Sequence, residues 1–270
     1  MDKQGRVDAV DAEMASRLLP DTAVRALGRW WDANKAAHKD GTPGAHTVRY
    51  TPARWAGATP WPSRLAPVTG TGDAEVSRAE VAAAVADALE REAFREALIA
   101  TYVWGKGKRG IWGESGPSTL HKILSADGLD AALAEAVTTL REAGAREAYA
   151  GLLGRGNGLG PAFFTKFLYF AGQSLPTAQG PAPLILDRVL AGRLHHLAAA
   201  VGRETGIDPD GAAVAWAWKR WNWSPHRYGV YLSFMEAAAR QLADTKTWPS
   251  CARPDLLERA LFATGLETHA

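Results

Sequence analysis

The chain has 270 residues, with 31 Lys and Arg against 29 Asp and Glu, a formal charge of +2, 47% hydrophobic and 22% charged residues. Those values exclude a wholly disordered or fibrous chain, and so slight a positive excess does not by itself indicate a nucleic-acid partner. One cysteine, Cys251, excludes an internal disulfide, a Cys-based zinc site and a four-thiolate iron–sulfur cluster.

Helix signals dominate in chain order and alternating strand patterns are scarce. Periodicity predicts a helix over residues 22–37, carrying Trp30 and Trp31. Residues 39–72 are rich in Gly, Pro and Thr, with Thr47–Thr51 as a short strand. Ser77 followed by Glu80 is a capping box that opens a long alanine-rich helix to about Val103. Trp104-Gly-Lys-Gly-Lys-Arg-Gly-Ile-Trp112 is too glycine-rich to be regular. Asp127 or Asp130 is positioned to cap a helix that stops at Gly144, and helices follow over 146–153, 161–171, 188–201, 209–221, 225–243 and 254–263. Several open with proline, whose missing N–H costs nothing there. The expectation is a mostly α chain in two helical lobes with a cleft between them: N-terminal helices and an irregular lobe over residues 1–75, and a core with C-terminal helices over 76–270, the two forming one continuous compact unit.

Apolar runs such as 162–171, interrupted by Lys166, fall short of the roughly 20 residues that span a bilayer. Met1-Asp2-Lys3-Gln4-Gly5 lacks the basic start and apolar stretch of a secretory signal. These features predict a soluble cytoplasmic protein with no membrane partner and no obligate protein partner.

Charge is unevenly placed. No acidic residue occurs between Glu147 and Asp187, whereas Arg155 and Lys166 do, and the 104–122 stretch carries Lys106, Lys108, Arg109 and Lys122 against Glu114. Such sidedness suits one anion-binding face and one solvated face.

Residues 152–170 carry the most information. A helix runs into the glycine-laden turn Gly154 to Gly160, and another begins at once with Pro161. Gly158-Leu159-Gly160 sets an apolar anchor between two residues able to take positive φ, so backbone N–H groups can approach an anion at the next helix's positive end. That is a way to hold one DNA phosphate without a side chain, and other Gly-rich turns share the pattern. Downstream, Leu184-Ile-Leu-Asp187-Arg ends an apolar extended run and begins a periodic helix, which places Asp187 at the N-cap.

Hairpin, helix, short loop and an aspartate at a helix mouth resemble the helix-hairpin-helix superfamily of DNA glycosylases. The residues Gly158-Leu-Gly-Pro-Ala-Phe-Phe-Thr-Lys-Phe-Leu-Tyr-Phe170 with Leu184-Ile-Leu-Asp-Arg188 are similar to bacterial proteins of the 8-oxoguanine DNA glycosylase fold, over about residues 100–240. The resemblance implies a helix-hairpin-helix glycosylase fold, duplex DNA carrying a modified base as partner, base flipping, and hydrolysis of the N-glycosidic bond with at most weak lyase activity. Its substrate is either 8-oxoguanine, in repair, or a hypermodified pyrimidine of phage DNA, such as glucosylated hydroxymethylcytosine, because antiphage glycosylases resemble such families. The alternative is a helix-hairpin-helix DNA-binding module whose aspartate is only a cap.

Cleaving an N-glycosidic bond builds positive charge on the sugar, which a fixed carboxylate stabilises; Asp187 fits that role. In the 8-oxoguanine enzymes a Schiff-base lysine follows the hairpin as Gly-x-Gly-x-Lys, a place held here by Ala162, and Lys166 lies one helical turn further on the same face. Between Phe163, Phe164, Phe167 and Tyr169 its amine is expected to be partly desolvated and more nucleophilic; a phosphate contact is the other reading. Gly158, Gly160, Arg155, Lys106, Lys108 and Arg109 are the expected backbone-phosphate contacts. Trp223 and Tyr228, in an aromatic cluster, are the expected walls of a base pocket. His195-His196 has no metal-ligand pattern, so no metal is assigned. No organic cofactor is implied, and the hairpin leaves room for a monovalent or divalent cation.

Overall fold

The computed structural model describes residues 1–108, 116–155, 158–175, 180–219, 223–251 and 253–264. In chain order its elements are α1 (Lys3–Ala15), α2 (Asp21–Asn34), β1 (Thr47–Tyr50), a short 3-10 turn (Pro52–Trp55), β2 (Ala74–Ser77), α3 (Arg78–Glu90), α4 (Phe94–Lys106), α5 (Gly116–Leu124), α6 (Leu129–Glu142) and α7 (Ala145–Leu152). They continue with α8 (Pro161–Ser174), α9 (Arg188–Glu204), α10 (Ala212–Ala217), α11 (Pro225–Ala243) and α12 (Pro254–Thr264). The fold is mostly α, as expected. Chain contacts group it into two units, Gly44–Ile185 and the pair of segments Met1–Pro43 with Leu186–Ala270.

Within Gly44–Ile185, β1 pairs antiparallel with β2, Thr47 opposite Ser77 and Tyr50 opposite Ala74. The chain leaves β2 directly into α3 through the predicted capping box: Glu80 N–H donates to Ser77 Oγ (3.1 Å) and Ser77 N–H to Glu80 Oε2 (2.6 Å). That bond from the Ser77 backbone holds the Glu80 carboxyl below its usual range. The helix does not run on to Val103. It ends at Glu90, Glu92 takes a φ of +54°, and α4 starts at Phe94. The reason is burial: α3 hides one stripe, Val81, Ala84, Val85 and Ala88, whereas every residue of α4 from Ala97 to Trp104 is buried. A helix apolar all round belongs in a core, and the turn at 91–93 folds it back beneath α3.

Three further departures from the sequence reading have local causes. Neither Asp127 nor Asp130 caps α6; Gly128, in the left-handed region at φ 72°, holds that position and Asp130 sits in the first turn. The helix expected over 209–221 is only Ala212–Ala217, because the buried Asp208 carboxylate accepts from Ala213 N–H (3.1 Å) and Val214 N–H (2.9 Å) and so starts the helix late. Elements α5 and β2 were not expected, and α1 was expected only as one of the N-terminal helices, without bounds.

In the other unit α1 and α11 meet through a buried ion pair. Asp11 accepts from Trp218 Nε1 (2.8 Å) and from the Arg227 guanidinium (3.0 Å). Removing one partner of such a buried pair costs about 3–5 kcal/mol, so this contact ties α1, α10 and α11 together. No described helix is long and apolar enough to cross a membrane.

Candidate functional site

The turn between α7 and α8 has the composition of a phosphate hairpin but a geometry partly its own. Gly154 and Gly158 take φ of 79° and 96°, a region in which a side chain is strained. A Cβ on Gly158 would meet Thr119 and Ile123 of α5 only at ordinary contact distance, so backbone conformation alone accounts for that glycine. Leu159 is buried and anchors the turn. Gly160 departs from expectation: at φ −82° and ψ 171° it is an extended N-cap that any residue can adopt. A Cβ there would meet nothing within 4 Å, and no side chain caps α8, so the start of the helix is bare backbone.

Helix α8 is almost wholly buried from Phe164 to Ala171, and Lys166 lies inside that run with only 8% of its surface exposed. Helical side chains tilt toward the N-terminus and reach the turn before. Lys166 does so, and its Nζ donates to the carbonyl of Ala162 at 2.6 Å. The ammonium therefore lies at Ala162, one helical turn before the residue that carries it. Its Nζ is 5.7 Å from the centroid of the Phe163 ring, and Lys106 Nζ is 5.2 Å from the same ring, on which Tyr102 stacks at 4.2 Å and 22°. Two lysines expected for separate tasks thus converge on one aromatic platform built by α4 and α8.

The other expected phosphate contacts are scattered. After α4, the Lys108 N–H bonds to Arg49 O of β1 (2.7 Å), while its ammonium donates to Asp73 at 2.6 Å. That bond first, and one from the Thr51 hydroxyl second, holds the Asp73 carboxyl below its usual range. Arg155 pairs with Glu135 at 3.7 Å, both exposed. Arg109 lies outside the described residues.

Asp187 belongs to the other unit, as the N-cap of α9. One oxygen, Oδ1, accepts from both Val189 N–H and Leu190 N–H at 2.9 Å, and Oδ2 has no hydrogen-bond donor among the described residues. A cap of this kind is worth about 1 kcal/mol, and it leaves half of a half-buried carboxylate, locked in one rotamer, available for other work. Arg193, further along α9, was missed by the sequence reading. Burial pushes its guanidinium below the usual arginine range while the Asp187 charge pulls it back up, and its NH1 is buried with no hydrogen-bond partner among the described residues.

Trp223 and Tyr228 are 1% and 0% exposed, packed with Trp218 and Tyr231. They lie buried within the aromatic cluster in which the walls of a base pocket were expected. His195 gives its Nδ1 to Trp218 O (2.7 Å), and no described group of three His, Cys, Asp or Glu could hold a metal. Cavities of about 680 and 500 Å³ also open in this unit, neither lined by Asp187.

A family described as "Putative 8-oxoguanine DNA glycosylase OGG-like protein" matches residues 41–262. The chain belongs to this family. The matched span of the OGG-like chain includes the hairpin, α8 with Lys166, and Asp187 at the head of α9. Family membership makes it a DNA glycosylase at the general level, with DNA as partner. Neither the curated proteins nor the solved structures include a match.

Proposed function

We propose that this chain excises a modified base from duplex DNA, with Asp187 as the catalytic carboxylate. The observation that carries the reading is the division of labour within that side chain: Oδ1 is held by two amides, and Oδ2 has no donor among the described residues. As the bond from C1′ to the base nitrogen breaks, the electron pair leaves with the base, which takes a proton from solvent. A carboxylate fixed in advance stabilises the positive charge growing on the sugar. Water then bonds to C1′ through its oxygen, and its proton passes through Oδ2 to solvent.

Lys166 supplies the second function. Its ammonium at the Ala162 carbonyl supports an amine at the turn where the 8-oxoguanine enzymes have theirs. As a free amine it would take the place of water: its nitrogen bonds to C1′ as the base leaves, its proton passes to solvent, and opening of the C1′–O4′ bond gives a Schiff base that water hydrolyses; otherwise it binds a phosphate. The bare start of α8 and the Lys106 ammonium are assigned to the DNA backbone, since such contacts position the duplex without reading its sequence. The family description points to 8-oxoguanine as the base, and a hypermodified pyrimidine of phage DNA is the second candidate.

Mass spectrometry of the bases released from oxidised DNA and from phage DNA containing glucosylated 5-hydroxymethylcytosine tests this reading. Release of one modified base, with an abasic site in the strand, supports it. Retained duplex binding without release from either DNA would reduce Asp187 to a cap and leave a DNA-binding module.

A further inference from the structure

Gly105 lies within α4, is not in the left-handed region, and so occupies a position where alanine is the better helix former. Its surroundings supply the reason for glycine. A Cβ built there would stand 2.6 Å from Lys166 Cδ, 2.9 Å from Cε and 3.8 Å from Nζ, and these are the three nearest atoms within 4 Å. The end of the Lys166 side chain passes through the volume a methyl group would fill.

We infer that Gly105 is a positioning residue for Lys166: the missing side chain opens the passage that lets the ammonium reach the Ala162 carbonyl and the Phe163 ring. This rests on the reading above that Lys166 serves the reaction. The inference adds that the direction of the amine is set from α4, a different helix from its own. Closing the passage displaces the free end of a flexible side chain and leaves both helix backbones in place, so Gly105→Ala re-aims the amine without unfolding the protein.

Two readouts test it on the full-length chain. The first needs no substrate: lysines are reductively methylated with ¹³C-formaldehyde, and the Lys166 resonance is assigned by its loss in Lys166→Arg. Gly105→Ala is expected to shift that resonance and to speed its appearance, because the amine leaves its buried carbonyl. An unchanged resonance overturns the inference. The second reads base release from a duplex carrying 8-oxoguanine and from phage DNA with glucosylated 5-hydroxymethylcytosine. On the DNA that is cut, Gly105→Ala should lower turnover by about 10²-fold with duplex affinity unchanged, the size of loss that a misplacement of about 1 Å produces. In a Lys166→Ala background the same change should have no further effect on turnover or thermal unfolding. If Gly105→Ala still destabilises that background, the glycine serves the backbone and the inference fails. If neither DNA is cut by the wild type while the resonance still shifts, the catalytic reading falls and the positional one stands.

Discussion

The starts of α8 and α9 solve one physical problem in opposite ways. Each first turn has N–H groups that point forward without helical partners and carry partial positive charge. At α9 the chain fills that need itself, with the Asp187 carboxylate folded onto Val189 and Leu190. At α8 no side chain caps the turn among the described residues: Gly160 has none, Pro161 has no N–H, Phe163 N–H turns back onto Gly160 O (2.9 Å), and the space a Cβ on Gly160 would take is open. A filled helix mouth fixes a charge in place and an empty one invites a charge from outside. This is the difference expected between a catalytic carboxylate and a phosphate seat, and it can be broken one side at a time.

The largest effect should come from the filled mouth. Asp187→Asn keeps an acceptor for the two amides, so thermal unfolding should stay close to wild type, while single-turnover base release falls by about 10²–10³-fold through loss of the fixed charge. Asp187→Ala should lose the same activity and, in addition, about 1 kcal/mol of stability as the cap goes. An Asn variant that turns over normally removes Asp187 from the chemistry.

Next comes the lysine. If the amine at the Ala162 carbonyl attacks the sugar, borohydride should trap a protein–DNA adduct that Lys166→Ala abolishes, with base release down by about 10²-fold. An active enzyme that gives no adduct makes water the nucleophile and leaves Lys166 with the backbone.

How much of this was legible from the chain alone depended on whether the signal was local. The Asp187 cap and the Ser77–Glu80 capping box could be read because each is decided within four residues. The split between α3 and α4 could not be read from helix propensity, since alanine favours a helix on both sides of Glu92; the change from a striped to an all-apolar pattern near Phe94 was the available clue. Trp223 and Tyr228 were read from a local cluster of aromatics, a pattern shared by an aromatic wall and an aromatic core, and both are buried. Gly105 was missed because its surroundings are set by one distant neighbour, Lys166, and because its glycine-rich stretch was read as irregular whereas α4 runs to Lys106; Arg193 was missed because neither its burial nor its nearness to the Asp187 charge shows in a local pattern.

The empty mouth should show a smaller and less selective effect. Gly160 tolerates a side chain conformationally, so Gly160→Val should fold normally. Its methyl groups would hold a phosphate off the α8 backbone and weaken duplex binding by about tenfold, the value of one charge-assisted hydrogen bond of about 1.4 kcal/mol. The loss should be equal for modified and unmodified DNA in a fluorescence titration. A variant that changes base preference instead would move this turn into the recognition pocket and erase its contrast with α9.

The smallest effect concerns a lysine that is already engaged. Lys108 is hydrogen-bonded to Asp73, so it should contribute little to DNA binding while that bond stands. Lys108→Gln should therefore reduce the salt dependence by much less than the roughly one slope unit of a full phosphate contact. Asp73→Asn should restore the missing unit and raise affinity a few-fold by releasing the Lys108 ammonium. The Asp73 carboxyl is held below its usual range, so it stays ionised, and the pair intact, until the pH falls through that lowered value. The gain in Asp73→Asn should therefore be the same at about pH 5 as at about pH 8. A full slope unit lost in Lys108→Gln would mean that DNA displaces Asp73 from Lys108, and would place that lysine in the phosphate contact.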